Sequence, residues 1–572
     1  MPRRPHRPSA LHTTSIPGGE TEPTQGQKEL SPVRFSHPSP VRRRATVPAA
    51  LLCGALLLAG CGANASSSAG GDAGEPVEGG ELTFALASAP TCADPQQVAT
   101  NDSLYPARQL VDSLTDQDPE TGEIVPWLAE SWEVNEDATV YTFTLRDDAT
   151  FSDGTPVDAE ALRLNLDGIA ALGARAPLGH SYLTGYRSTE VRDTHTAEVA
   201  FDRPNAQFLQ ATTTPALGLL APATLERSPG DRCTEVVGSG PFVLEEYRVN
   251  SSVTQVRRED YAWGSSLWEA PGAARLERLT FEVIAESGVR TGGLSSGQVD
   301  AIGGVAPQDE ATLEASGLTP HRRANPGLPF SLFPQLERPL VSDPAVRRAV
   351  SLAIDRQEIV DTVLSPSYRP ATSSLASTTD LYADHSALLT HDPETAASLL
   401  AEAGWREGPD GVLTKDGEPL RLTLVWGANF GPNQPALELI QQQLRAVGID
   451  VVLRTVTAAE YNGVREEGDY DYAWSNTTRT DPDILRAAFS DTLANFSRVD
   501  DPALEELLNE QNGTVDPEVR GPLVERLQGE LLEKGYLVPV FELTTVLGYG
   551  GDVHELDFEA SSRLQFHDTW HG

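Results

Sequence analysis

Apolar and polar residues alternate through Glu81-Leu82-Thr83-Phe84-Ala85-Leu86 and again through Tyr141-Thr142-Phe143-Thr144-Leu145, the period of two that marks strands. The turn-rich stretch Ala89-Pro90-Thr91-Cys92-Ala93-Asp94-Pro95 follows the first, and Ser152-Asp153-Gly154-Thr155-Pro156 follows the second as a tight turn. From Asp158 the period lengthens: Leu162, Leu166 and Ile169 fall on one face of a helix. Downstream, Asp343-Pro344 and Asp392-Pro393 each set a capping carboxylate before a proline at the first helical position. The first of these helices carries the apolar stripe Val346, Ala349, Val350 and Ala353, and Gly404 stops the second after Leu399, Leu400 and Ala403. Asp355-Arg356-Gln357-Glu358 has the form of a capping box. Leu420, Leu422, Leu424 and Trp426 line one face of a strand, Leu437, Ile440, Leu444 and Val447 line a helix, and Ile449 to Val456 forms a further strand. That order is a βαβ unit, so its two strands are expected to be parallel neighbours with a right-handed crossover. Asp410-Gly411 and Asp416-Gly417 mark the turns of a small excursion just before it. The fold class is α/β, with no internal repeat or heptad.

One apolar run does not belong to a folded core. Arg42, Arg43 and Arg44 precede an apolar stretch from about Ala49 to Leu58, which ends in Leu58-Ala59-Gly60-Cys61. A basic segment, a short apolar segment and small residues form an export signal. The run falls short of the roughly 20 residues that span a bilayer. Its end resembles the lipobox of bacterial lipoproteins, which implies that Cys61 is diacylated and becomes the first mature residue. Two acyl chains anchor stably where one does not. Residues 62–79, small and polar, read as a flexible tether. Residues 1–40, rich in Pro, Arg, His and Ser, show no period and read as disordered. A true start near Val41 or Val33 is expected, with residues 41–61 as the signal.

Charge narrows the class. The chain holds 43 basic and 83 acidic side chains, and removing the eight basic and three acidic residues before position 60 leaves a mature net charge of −45. Such a field repels nucleic acid and anionic headgroups, so no nucleic-acid partner is expected. Positive charge is almost all arginine, since lysine occurs only at Lys28, Lys415 and Lys534. About 500 mature residues exceed what one core holds, so at least two lobes are expected. Outside the cell, the two remaining thiols, Cys92 and Cys233, favour a disulfide closing a long loop, with two separate buried thiols as the alternative.

The run Asp118-Pro119-Glu120-Thr121-Gly122-Glu123-Ile124-Val125-Pro126-Trp127-Leu128-Ala129-Glu130-Ser131-Trp132-Glu133 closely resembles the bacterial family 5 extracytoplasmic solute-binding proteins of peptide and nickel ABC importers. The likeness continues at Phe151-Ser152-Asp153-Gly154-Thr155-Pro156, Val237-Gly238-Ser239-Gly240-Pro241-Phe242, Leu294 to Ala301 and Asp343 to Val360, in the family's order. It implies a two-lobed periplasmic-binding-protein-like fold of class II, with the ligand cleft between the lobes. Lobe one would take residues 80–325, with an extra subdomain at about 105–235, plus a return at 540–572; lobe two would take 326–539. It implies a monomer that closes by a hinge on an oligopeptide or dipeptide and passes it to ABC permease subunits in the membrane. No cofactor, metal or catalytic residue is expected. A nickel chelate or other small solute is the alternative ligand.

Candidate ligand contacts are Tyr105, Trp426, Asn429, Trp474, Asn476, Arg479 and Asp481. The family resemblance suggests that an acidic residue near Tyr470 to Pro482 pairs with a peptide's amino terminus. Asp481 could do so and Arg479 could hold a carboxylate bidentately. The pair could equally be a turn and a helix cap. Trp426 and Trp474 suit either a cleft wall or a core. An extracellular hydrolase is the rival class, but the chain has no Gly-x-Ser-x-Gly elbow, no His-Glu-x-x-His helix and no Cys-x-x-Cys pair, and His385, His391 and His554 are scattered.

Overall fold

The structure is a computed structural model that describes residues 75–427 and 430–572. The export signal, Cys61 and Asn429 lie outside the described residues.

Two sheets organise the chain into two lobes. In the first, seven strands run in the order His321–Ala324, Thr544–Tyr549, Ala301–Ile302, Glu81–Leu86, Arg278–Val283, Ser252–Arg257 and Phe242–Arg248. Glu81–Leu86 pairs in parallel with a neighbour on each side. A central strand covered on both faces needs apolar residues in both directions. Leu82, Phe84, Ala85 and Leu86 are accordingly all buried. The Phe84 ring lies 5.8 Å from both Phe281 and Phe566, so the C-terminal tail helps to build the core around the first strand.

A second antiparallel sheet, Ala129–Val134, Val140–Leu145, Thr196–Phe201 and Tyr186–Val191, stands apart from this one. The helix Ala159–Leu172 packs Leu162, Leu166 and Ile169 into a core with Phe143, Phe201 and Phe208. Its N-terminus is capped by Asp158, whose carboxylate accepts the Ala161 amide. Cys92 and Cys233 are joined by a disulfide that spans 141 positions of chain and ties the segment after the first strand to the far side of this unit. Near it, Gly238 has no room for a side chain, since a Cβ there would lie 1.9 Å from the Leu110 carbonyl oxygen.

The other lobe is built on six strands in the order Arg369–Pro370, Val538–Glu542, Gly327–Pro334, Tyr472–Thr478, Arg421–Gly427 and Asp450–Val456. Arg421–Gly427 and Asp450–Val456 run parallel, Leu422 opposite Val451, with the helix Asn433–Ala446 between them in sequence. Leu420, Leu422, Leu424 and Trp426 join Leu437, Ile440 and Leu444 in one core. Asp416-Gly417, both with positive φ, make the two-residue turn between Leu413–Lys415 and Glu418–Pro419. Asp343 and Asp392 cap their helices as the sequence predicts. Asp355 differs. Its carboxylate accepts the Glu358 amide, but Glu358 turns away to accept from Gln443, and Gln443 also takes the Asp355 amide proton. A tertiary partner replaces the local half of the capping box.

The chain passes between the sheets twice, at Asn325-Pro326 and at Leu543. The two crossings touch: the Asn325 amide donates to the Leu543 carbonyl at 2.8 Å, and Thr545 Oγ1 donates to Asn325 Oδ1 at 2.7 Å. Gly327 enters the second lobe at φ +108°, where a Cβ would stand 2.2 Å from the Thr477 oxygen. Only glycine fits that position.

Candidate functional site

The strand Tyr472–Thr478 runs antiparallel to Gly327–Pro334 and ends beside the crossing. The next residue, Arg479, donates its amide to the Pro326 carbonyl at 3.1 Å, which fixes its backbone at the hinge. Its side chain then leaves the second lobe for the first. Nη1 donates to Gln207 Oε1 at 3.2 Å, Nη2 donates to Ser181 Oγ at 3.0 Å, and the guanidinium sits 4.6 Å from the Tyr182 ring centroid. A guanidinium over a ring gains from the negative face of the π system, more so when water is excluded. Arg479 is only 4% exposed, and its Nε has no hydrogen-bond partner.

A cavity opens here. Its lining comes from Leu104, Leu178 and Tyr182, from Gln210 on the short helix Phe208–Ala211 and Thr214 after it, from Thr478 to Thr480, and from Ser561 and Arg563 of the C-terminal tail. Its empty space, open mouth included, is about 310 Å³. Gln210 Oε1, Gln207 Nε2 and Thr480 Oγ1 are buried here without partners, as is Arg479 Nε. Buried polar atoms are rarely left so, and an ordered water or a polar ligand group would complete these.

Asp481 stands just outside this lining with its carboxylate occupied. Arg520 holds it bidentately at 2.9 and 2.7 Å, and it accepts the Asp483 amide at 2.7 Å. Burial would raise its pKa, but the Arg520 charge and hydrogen bonds outweigh burial and hold it below the usual carboxylate value. Asp483 in turn pairs with Arg486, and Gln511 bridges the two ion pairs.

The remaining candidates are placed elsewhere. Trp474 stacks on Phe330 at 5.4 Å and donates its indole N–H to Asn433 Oδ1 at 2.8 Å, inside the second-lobe core that also holds Trp426. Tyr105 is buried on the helix Asn101–Arg108 against Phe84, and burial, with Asp102 nearby, pushes its hydroxyl pKa up. Asn476 is half-buried in its strand. Of the candidates among the described residues, the structure brings only Arg479 into the cavity lining. Tyr182, Gln207, Gln210 and Arg563 went unnoticed in the sequence, because no period or motif marks them.

The lobes also meet away from the cavity. Asn512 Nδ2 donates to the Pro204 carbonyl at 2.7 Å, and the Ala206 amide returns a bond to the Asn512 carbonyl at 2.9 Å. Gln117 Nε2 donates to Asp380 at 3.3 Å. Among the described residues no group of three or more His, Cys, Asp or Glu stands ready to hold a metal ion, and no helix is long and apolar enough to cross a membrane.

A hinge of two touching crossings and a polar cavity between lobes is the geometry of a solute clamp. The sequence model of bacterial extracellular solute-binding proteins, family 5, middle region, matches residues 123–492. The chain belongs to that family. The nickel-binding periplasmic protein of Escherichia coli K12 is 26% identical to this family 5 protein over 73% of the chain and 81% of the relative. The glutathione-binding protein of the same strain is 26% identical over 80% and 88%. Among solved structures, the dipeptide-binding protein of Pseudoalteromonas sp. SM9913 in complex with Met-Leu superposes with a TM-score of 0.74 at 21% identity, covering 86% of this chain and all of that one. Family 5 proteins are the extracytoplasmic solute-binding components of ABC importers, and neither the family nor the fold is one of enzymes.

Proposed function

We propose that this family 5 protein captures a small peptide or similar solute between its lobes and hands it to the permease, held at the membrane by lipid on Cys61. The lobe that contributes Tyr182 and Arg563 takes residues 80–325 and the return from Leu543, three residues later than the expected 540, because Val538–Glu542 pairs in the other sheet; residues 326–542 form the lobe that contributes Arg479. The observation that carries this reading is Arg479 itself, a second-lobe cation that reaches Ser181 and Gln207 of the first across the cavity. A ligand seated there touches both lobes at once, and a ligand that contacts both lobes favours the closed form over the open one. No step of bond making falls to this chain. The anchor keeps the binder near its permease and raises the effective concentration for docking. A chelated metal would use the same polar surface, since the cavity lining contains no His, Cys, Asp or Glu to ligate a bare ion.

Thermal melting of the mature chain against a mixed di- and tripeptide pool tests the binding reading. A saturable rise in melting temperature with every peptide recovered intact supports it. Cleaved peptide, or no rise with any pool, contradicts it. The anchor is checked separately by fatty-acid labelling in the host, which Cys61→Ala should abolish.

A further inference from the structure

The cavity is cationic in a chain that is strongly anionic. Its lining includes Arg479 and Arg563 and no acidic residue, although the chain carries 83 carboxylates. The two arginines come from different lobes. Arg563 lies between the short strands Asp557–Phe558 and Leu564–Gln565, whose Phe558 and Leu564 pack in the first-lobe core. Both residues are about nineteen-twentieths buried.

Among the described residues neither arginine makes a salt bridge, although Glu559 acts on Arg563, and Asp481 on Arg479, through space. Arg479 bonds two neutral side chains, and the side-chain bond of Arg563 goes to the Ser561 carbonyl. The nearby acids are engaged by other arginines, Asp481 by Arg520 and Glu559 by Arg108. Burying a guanidinium without a counter-charge is costly unless something supplies one. Burial indeed presses the Arg563 pKa down. The same distribution leaves no free carboxylate in the lining for an amine, since Asp481 beside it is saturated and Asp380 lies outside it, behind Gln117.

Resting on the binding reading above, we infer that the ligand of this cleft carries a carboxylate, held by Arg479 from one lobe and Arg563 from the other, and needs no free amino group. An anionic ligand group would complete both guanidiniums, which suit planar carboxylates bidentately. A carboxylate seated between them would also contact both lobes, and so favour the closed form over the open one.

The test uses one library of di- and tripeptides in three forms: untreated, N-acetylated, and with all carboxyls amidated. Each is mixed with the mature chain and bound species are counted by native mass spectrometry. Untreated and acetylated pools should give one-to-one adducts and the amidated pool none. Arg479→Gln and Arg563→Gln should each cut adduct formation about ten- to hundredfold, the range expected for losing charged hydrogen bonds, while Arg479→Lys retains part of it. Far-ultraviolet circular dichroism confirms that each variant folds, and either arginine alone suffices if the other variant does not. Adducts from the amidated pool, loss of adducts on acetylation, or folded arginine variants with full binding would overturn the carboxylate inference and leave the binding reading intact. No adduct from any pool would overturn both.

Discussion

At the residue scale, the fate of Asp481 and Arg479 separates stability from recognition. Neighbours in sequence, they divide two tasks that a sequence cannot tell apart: Asp481 is consumed inside the second lobe, while Arg479 crosses to the first. Breaking a buried ion pair from one side leaves the other charge stranded, which costs about 3–5 kcal/mol. Asp481→Asn is therefore expected to lower unfolding stability by about 3 kcal/mol, read as a shifted denaturation midpoint with unchanged slope. Arg479→Gln should leave that midpoint within about 1 kcal/mol, because the loss of two hydrogen bonds to neutral side chains and a ring contact is offset by removing a buried cation that has no salt bridge. Equal losses in the two variants would mean that Arg479 is structural. Residue type alone left both roles open, and what decided them was Arg520, placed by a helix, Pro517–Glu533, far along the chain.

At the element scale, most of the fold was legible. Strands such as Glu81–Leu86 and Arg421–Gly427 announce themselves by periodicity, and helices after Asp158, Asp343 and Asp392 by their caps. These signals are local, so local sequence suffices. The cavity was not legible, because it is assembled from short and irregular pieces: a short helix around Tyr182, a single helical turn at Gln210 and a tail loop at Arg563. The tryptophans illustrate the ambiguity, since an aromatic ring on a central strand serves a core and a cleft equally well. Asp380 is a further interlobe group that no pattern marked. Burial and then the charge of Asp481 push its pKa up to about 6, against the opposing pull of the Gln117 hydrogen bond and of Arg520. A carboxyl raised above its ordinary 3.8 is penalised in the ionised form, so closure should take up protons, and this group should favour the closed state more as pH falls through 6. Ligand affinity is expected to rise modestly from pH 7.5 to 5.5, and Asp380→Asn should flatten that rise. Isothermal titration in buffers of differing ionisation heat measures the proton uptake directly, and proton release on binding would contradict it.

At the scale of the whole molecule, the chain order explains the coupling of the parts. The first strand, the middle of the chain and the C-terminal tail share one sheet, and the second lobe is inserted through two adjacent crossings. The Cys92–Cys233 bond fixes the antiparallel subdomain to the strand that starts this arrangement. Closing so long a loop restricts the unfolded chain, so Cys92→Ser with Cys233→Ser should cost about 2–4 kcal/mol. Melting in the presence and absence of reductant checks this, and an unchanged midpoint would show that the bond adds nothing to folding. The family resemblance reached this architecture from motif order alone, whereas the cargo depends on a few side chains that converge only when the lobes are built.

A chain that holds an unaltered solute between its lobes should give that solute up whole. Native mass spectrometry of the mature protein, purified from its own host without denaturation, tests it most directly. The expected result is a one-to-one complex with a small solute that is released with its mass unchanged. Protein that is always empty, or that releases a chemically altered molecule, would contradict it.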